Sequence, residues 1–280
     1  VVVKDQDEEK LNILVDGEVF EVIKMSVYKN DHFEISKIGP LQKLDLLDSE
    51  CVPIYSKYGR VHRVKKHNGL DAINDDSPIR LSDMFNRPMD SLSNHFIIQV
   101  AGCELDCPVC YVDNKNWDTT FNAQDLVDEF TKFKRVVPSL NVFHLMGGNP
   151  GRFASGWSIL REELNSRTYK NIILLTNVLF IENELYANIP WTKLELDNFV
   201  IAGCLKGTNK QNFIDNTGKD YFDVAIKELK NYVKFKNFYL TLLNPDPKSM
   251  NVVYNIIDIQ RINILQEVRY HASYGGKKND

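Results

Sequence analysis

The chain has 280 residues, 43% of them hydrophobic, and carries a formal charge of −4 at neutral pH. That length and apolar content suffice for one large domain or two small ones, and the mild negative balance gives no electrostatic footprint for nucleic acid or an anionic membrane. No run reaches the roughly 18 apolar residues of a membrane span, and the opening VVVKDQDEEK lacks the basic and apolar stretches of a secretory signal, so a cytoplasmic protein is expected.

Residues 1–94 read as a small β-rich domain or cap. Two strand patterns, 11–15 and 18–23, flank Asp16-Gly17, a strong two-residue hairpin signal, and 27–35 offers a third strand. The basic run Lys57, Arg60, Arg63, Lys65 and Lys66, with His62 and His67, reads as a solvated hairpin face in preference to a phosphate or carboxylate site. Turn chemistry over Asn74-Asp75-Asp76-Ser77-Pro78 marks a connection into the next region.

From residue 95 to 280, short apolar runs alternate with helical patterns, the signature of repeated βα units and a parallel sheet. Six strands are expected, over 96–100, 142–146, 172–175, 199–202, 238–243 and 264–268. Their nearly continuous hydrophobicity suits strands covered on both faces. A helix over 123–133 puts Leu126, Val127, Phe130 and Phe133 on one stripe behind Asn122 as N-cap, and a helix over 221–233 does the same with Phe222, Ala225, Ile226, Leu229 and Val233. Six βα units are two short of a closed eight-stranded barrel, so the expected class is α/β, a partial (β/α)6 barrel with its site at the strands' C-terminal ends. Trp117 and Trp157 either line that cleft or pack.

Of five cysteines, Cys103, Cys107 and Cys110 fall within eight residues directly after the first barrel strand, while Cys51 and Cys204 stand alone. This is metal-binding spacing, not a disulfide framework. A compact triad with no fourth cysteine nearby leaves one iron of an iron–sulfur cluster open for a non-protein ligand. A zinc site completed by a histidine such as His95, or three reduced buried thiols, are the alternatives.

The spacing C-x-x-x-C-x-x-C after the first strand of a βα series resembles the radical S-adenosylmethionine (SAM) superfamily, and further segments match in order over about residues 95–280. Met146-Gly147-Gly148-Asn149-Pro150 is similar to the family's G-G-E-P motif, with Asn149 in place of Glu, although alone it is only a turn after a strand. Thr176-Asn177 resembles a T-N step, and Cys204-Leu205-Lys206-Gly207 the D-x-K segment of the glycyl-radical activases. Arg269 to Lys277, which contains His271, resembles the closing segment of the activases, and Tyr111 to Asp118 the region after their cysteines.

The resemblance implies a [4Fe-4S] cluster on Cys103, Cys107 and Cys110. It implies SAM held by Val109, at a commonly aromatic position, with Gly147, Gly148, Asn149, Pro150, Asn177, Lys206 and His271. Cys204 lies two residues before Lys206 and hence on the same strand face, where a thiol would donate hydrogen to the substrate, contact it, or merely fill space. The implied activity is reductive cleavage of SAM to a 5′-deoxyadenosyl radical that abstracts hydrogen from a small-molecule or peptide substrate, with flavodoxin or ferredoxin as reductant. An activase that installs a glycyl radical on a partner enzyme and a noncatalytic iron–sulfur electron carrier are the other readings.

Overall fold

The computed structural model describes residues 10–15, 18–23, 32–37, 56–63, 77–108, 110, 112, 119–181 and 198–265. Val109, His271, Cys51, Trp117 and residues 266–268 of the expected sixth strand lie outside them. The chain divides into two compact units, Val1–Asn30 and Asp31–Asp280.

In the first unit, β1 (Lys10–Val15) pairs antiparallel with β2 (Glu18–Ile23), and Val15 lies opposite Glu18. That register leaves a two-residue connection at Asp16-Gly17, the length the sequence calls for.

The second unit is built on a nine-stranded mixed sheet. Six of its strands are parallel and lie side by side in chain order: β5 (Asn94–Val100), β7 (Val142–Gly147), β8 (Ile173–Val178), β9 (Phe199–Leu205), β10 (Phe238–Leu243) and β11 (Ile262–Leu265). All six strand patterns expected from the sequence are present. The last begins two residues earlier, because Asn263, a polar residue that blurs the apolar run, is buried and accepts from Arg80 Nε at 2.7 Å.

The other edge of β5 is shared by two antiparallel partners. β4 (Gly59–Arg63) pairs along its N-terminal part, and β3 (His32–Ile35) meets it at Val100 and carries β6 (Thr119–Asn122) outside. The compact units divide at residue 30, and β3 and β4 hydrogen-bond directly to β5. Arg60 is also not part of a solvated face. It is 2% exposed and lies opposite Ile97, on the sheet face away from Phe96.

Alternation along the strands separates two cores. On one face Phe96, Phe143, Leu174, Ile201 and Leu240 pack against α2 (Ala123–Val136), α3 (Ala154–Ser166) and α5 (Phe222–Tyr232). The expected stripe of α2 is buried there, and burial of Leu126, Val127 and Phe130 contributes about 1.5–3 kcal/mol each. Asn122 caps this helix: its side chain accepts from Asp125 N at 2.8 Å, and the Asp125 carboxylate accepts from Asn122 N at 3.1 Å. Trp157 of α3 is a packing residue, fully buried with its ring centroid 5.6 Å from that of Phe199.

On the opposite face Val142, Ile173, Leu175, Val200 and Tyr239 pack against Leu81 of α1 (Ser77–Phe85) and Leu92 of the following 3-10 turn. This helix occupies the segment read as a connection. It is held by the 2.8 Å Ser77–Tyr239 hydroxyl bond and by Arg80, which donates to the Ile262 carbonyl at 2.9 Å. Because Val142 and Ile173 begin their strands, α1 covers the N-terminal half of this face. The C-terminal half carries the half-buried Met146, Asn177, Cys204 and Thr241. A short α4 (Lys210–Thr217) follows β9, and α6 (Asn251–Tyr254) precedes β11. Among the described residues no helix is long and apolar enough to cross a membrane.

Candidate functional site

The cysteine loop begins where β5 ends. Gly102 turns the chain at φ +81°, and Leu105 anchors the loop in the main core. The loop is tied down on two sides. Asp106 N donates to the Thr217 carbonyl at 2.9 Å, at the end of α4. On the other side Asn149 N donates to the Gly102 carbonyl and Gly148 N to the Val100 carbonyl, both at 2.8 Å. The turn after β7 and the loop after β5 are thus stitched together, as the register demands when Val100 lies opposite Gly147.

Cys103 and Cys107 are half-buried and Cys110 is exposed; all three are free thiols, as is Cys204. Burial pushes the Cys103 thiol up to about 12, against a backbone hydrogen bond from Leu105 and with further repulsion from Cys107, Glu104 and Cys110. Burial also raises Cys107, to about 11; Lys206 opposes this, while Cys110 and Cys204 add to it. Cys107 thus lies within electrostatic reach of Cys103, Cys110, Cys204 and Lys206. Among the described residues no three His, Cys, Asp or Glu side chains stand where they could hold a metal ion together as they lie. The donor chemistry of the triad nevertheless suits iron and sulfide, since thiolates are the usual ligands of such clusters.

Gly147 has φ +110°, so the conformation that needs glycine falls on the first residue of the Gly-Gly pair. Asn149 is buried at 1% exposure and does structural work: its side chain accepts from Gly151 N at 3.2 Å and donates to Glu104 at 3.3 Å. Pro150 opens the 3-10 turn Pro150–Phe153, in which Pro150, Gly151 and Phe153 are buried. Lys206 is half-buried just past β9, and its carbonyl accepts from Asn216 Nδ2 at 2.9 Å.

A polar set stands on the strand face that carries Cys204; the sequence pointed to His95 and Asn177 but not to His144. His95 Nε2 faces the Leu92 carbonyl at 3.0 Å, the His95 and His144 Nδ1 atoms are 3.4 Å apart, and His144 Nε2 lies 3.0 Å from Asn177 Oδ1. The Leu92 carbonyl can only accept, so His95 Nε2 is the donor of that bond. Asn177 is thereby engaged by a histidine chain that runs back to the base of the sheet. His95 stands five residues before the end of β5, about 16 Å along the strand, so it is not a fourth ligand of the cysteine loop. The available signal was a polar residue at the same parity in successive buried strands: His95 and Gln99 in β5, His144 in β7, Asn177 in β8.

No protein-family model matches the sequence, and no curated protein matches it significantly. Solved structures similar to the chain include SuiB of Streptococcus suis bound to the precursor peptide SuiA, at 12% identity and a TM-score of 0.49, over 78% of this chain and 51% of that one. SuiB bound to S-adenosylmethionine matches at 12% identity and 0.48, over 64% and 41%. Methylornithine synthase (PylB) matches at 12% and 0.40, over 73% and 61%. The chain spans about half the length of the peptide-bound SuiB chain.

Proposed function

We propose that the protein is a radical SAM enzyme in which Cys103, Cys107 and Cys110 hold a [4Fe-4S] cluster and the six parallel strands form an open partial barrel around the substrate. The observation that carries this reading is the stitching of the three-thiol loop to the Gly147–Pro150 turn, with Lys206 within electrostatic reach of Cys107. Cys103, Cys107 and Cys110 would hold the cluster, which together with SAM would supply the one-electron chemistry for hydrogen abstraction from a small molecule or peptide.

The chain's own residues bind and orient. The backbone at Gly147 and Gly148 gives close approach without side chains, the Lys206 ammonium offers a cation to the SAM carboxylate, and Asn177, held by His144, offers an amide to the cofactor. The half-buried Cys204 on the same face is set to contact the substrate or return a hydrogen atom. His271 and Val109 complete the SAM site in this proposal.

The test is anaerobic reconstitution followed by SAM and dithionite. Release of 5′-deoxyadenosine is expected from the wild type, and loss of the brown absorbance from each of Cys103→Ala, Cys107→Ala and Cys110→Ala. Unchanged iron content in any of the three variants would refute the cluster assignment.

A second reading, a noncatalytic electron carrier with Cys204 as the fourth thiolate, is favoured by the interaction of Cys204 with Cys107. Cys204→Ala separates the two. The cluster and SAM cleavage persist in the enzyme, whereas the cluster is lost in the carrier.

A further inference from the structure

Gln99 lies on β5 four residues before Cys103, with its Cα opposite that of Met146. It is fully buried, and both its amide nitrogen and its amide oxygen lack a hydrogen-bond partner. Leaving such groups unmet is costly, and native proteins tolerate it chiefly where a ligand or an ordered water supplies the missing partners. Strand parity turns the side chain to the face that carries Met146, Asn177 and Cys204, whose C-terminal half α1 leaves uncovered.

We propose that Gln99 is a specificity-determining residue that docks a primary carboxamide of the substrate. The chemistry selects the class. A carboxylate would satisfy the Gln99 Nε2 donor but set a lone pair against Oε1, and an ester, which has no donor, would meet Nε2 only. A primary carboxamide presents its carbonyl and its syn N–H side by side and meets both atoms at once, whereas a trans peptide bond points the two apart. The assignment takes this face as the substrate face of the proposed reaction, and so names the substrate class of that same site.

The test needs neither cluster nor SAM. Saturation-transfer NMR on the iron-free full chain is run with malonamide, a primary diamide, and with dimethyl malonate, which keeps both carbonyls and lacks every N–H. Wild-type protein is expected to give transfer to the diamide at least several-fold stronger than to the ester. Gln99→Met, close in volume but apolar, is expected to abolish that preference.

The same variant should be more stable than wild type, by a thermal midpoint shift of about 2–4 °C, because it removes two buried polar atoms without removing a bond. Equal transfer from both probes to wild type, or a diamide preference that survives in Gln99→Met, would overturn the proposal. So would a variant less stable than wild type, since that would mean the amide is satisfied within the protein. Should Gln99→Met misfold, the diamide-to-ester comparison on wild type decides alone. Failure here leaves 5′-deoxyadenosine release untouched, whereas failure of the radical SAM reading shows in that assay and not in this one.

Discussion

A Cβ placed on Gly147 would come within 2.7 Å of the Val100 carbonyl oxygen, at a φ that side chains rarely adopt. Gly147→Ala is therefore expected to cost about 1–3 kcal/mol through backbone strain at the turn that holds the cysteine loop. Thermal unfolding measures it, and an unchanged midpoint would contradict the strain. The thiols offer a second measurement at this scale. Cys110 is exposed while Cys103 and Cys107 are half-buried with protonation favoured, so iodoacetamide on iron-free protein near pH 8 should label Cys110 first. Peptide mass spectrometry over a time course reports the order.

At the scale of the element, α2 begins in a reciprocal capping box that was legible in the sequence, because Asn122 directly precedes the apolar stripe and Asp125 follows three residues later. Asn122→Ala should cost about 1 kcal/mol, read as a lower denaturant midpoint with an unchanged slope. Helix α1 was not legible. Its nine residues present Leu81 to one face of the sheet, too short a pattern to stand out beside the turn residues before it. Leu81→Ala should cost about 2–5 kcal/mol, since the side chain is fully buried under Val142, Ile173 and Tyr239. Equilibrium unfolding in urea checks it.

At the scale of the molecule, β3 and β4 belong to the sheet that bears the site. A chain starting at residue 31 should unfold cooperatively as a single unit, whereas one starting at residue 95 loses the partners of β5 and leaves that edge bare, where other chains can pair. Size-exclusion chromatography and thermal unfolding of both truncations test this. Equal solubility and stability of the two would place the boundary at 94 after all.

By itself the sequence determined the hairpin at Asp16-Gly17, the six buried strands, the stripe and cap of α2, and a three-thiol loop at the end of the first parallel strand. These are local matters, written in periodicities of two and 3.6 and in residues whose turn and capping chemistry acts within a few positions. Only the tertiary structure decided that β3 and β4 flank β5, that Arg60 is buried, that α1 fills one half of a sheet face, and that Cys204 and Lys206 act on Cys107. Each of those depends on contacts between residues distant in the chain, and no local pattern encodes which strand lies beside which. The histidine chain and Gln99 belong to both levels: their parity was present in the strands, but their meaning appeared only when parallel pairing in chain order set them on one face.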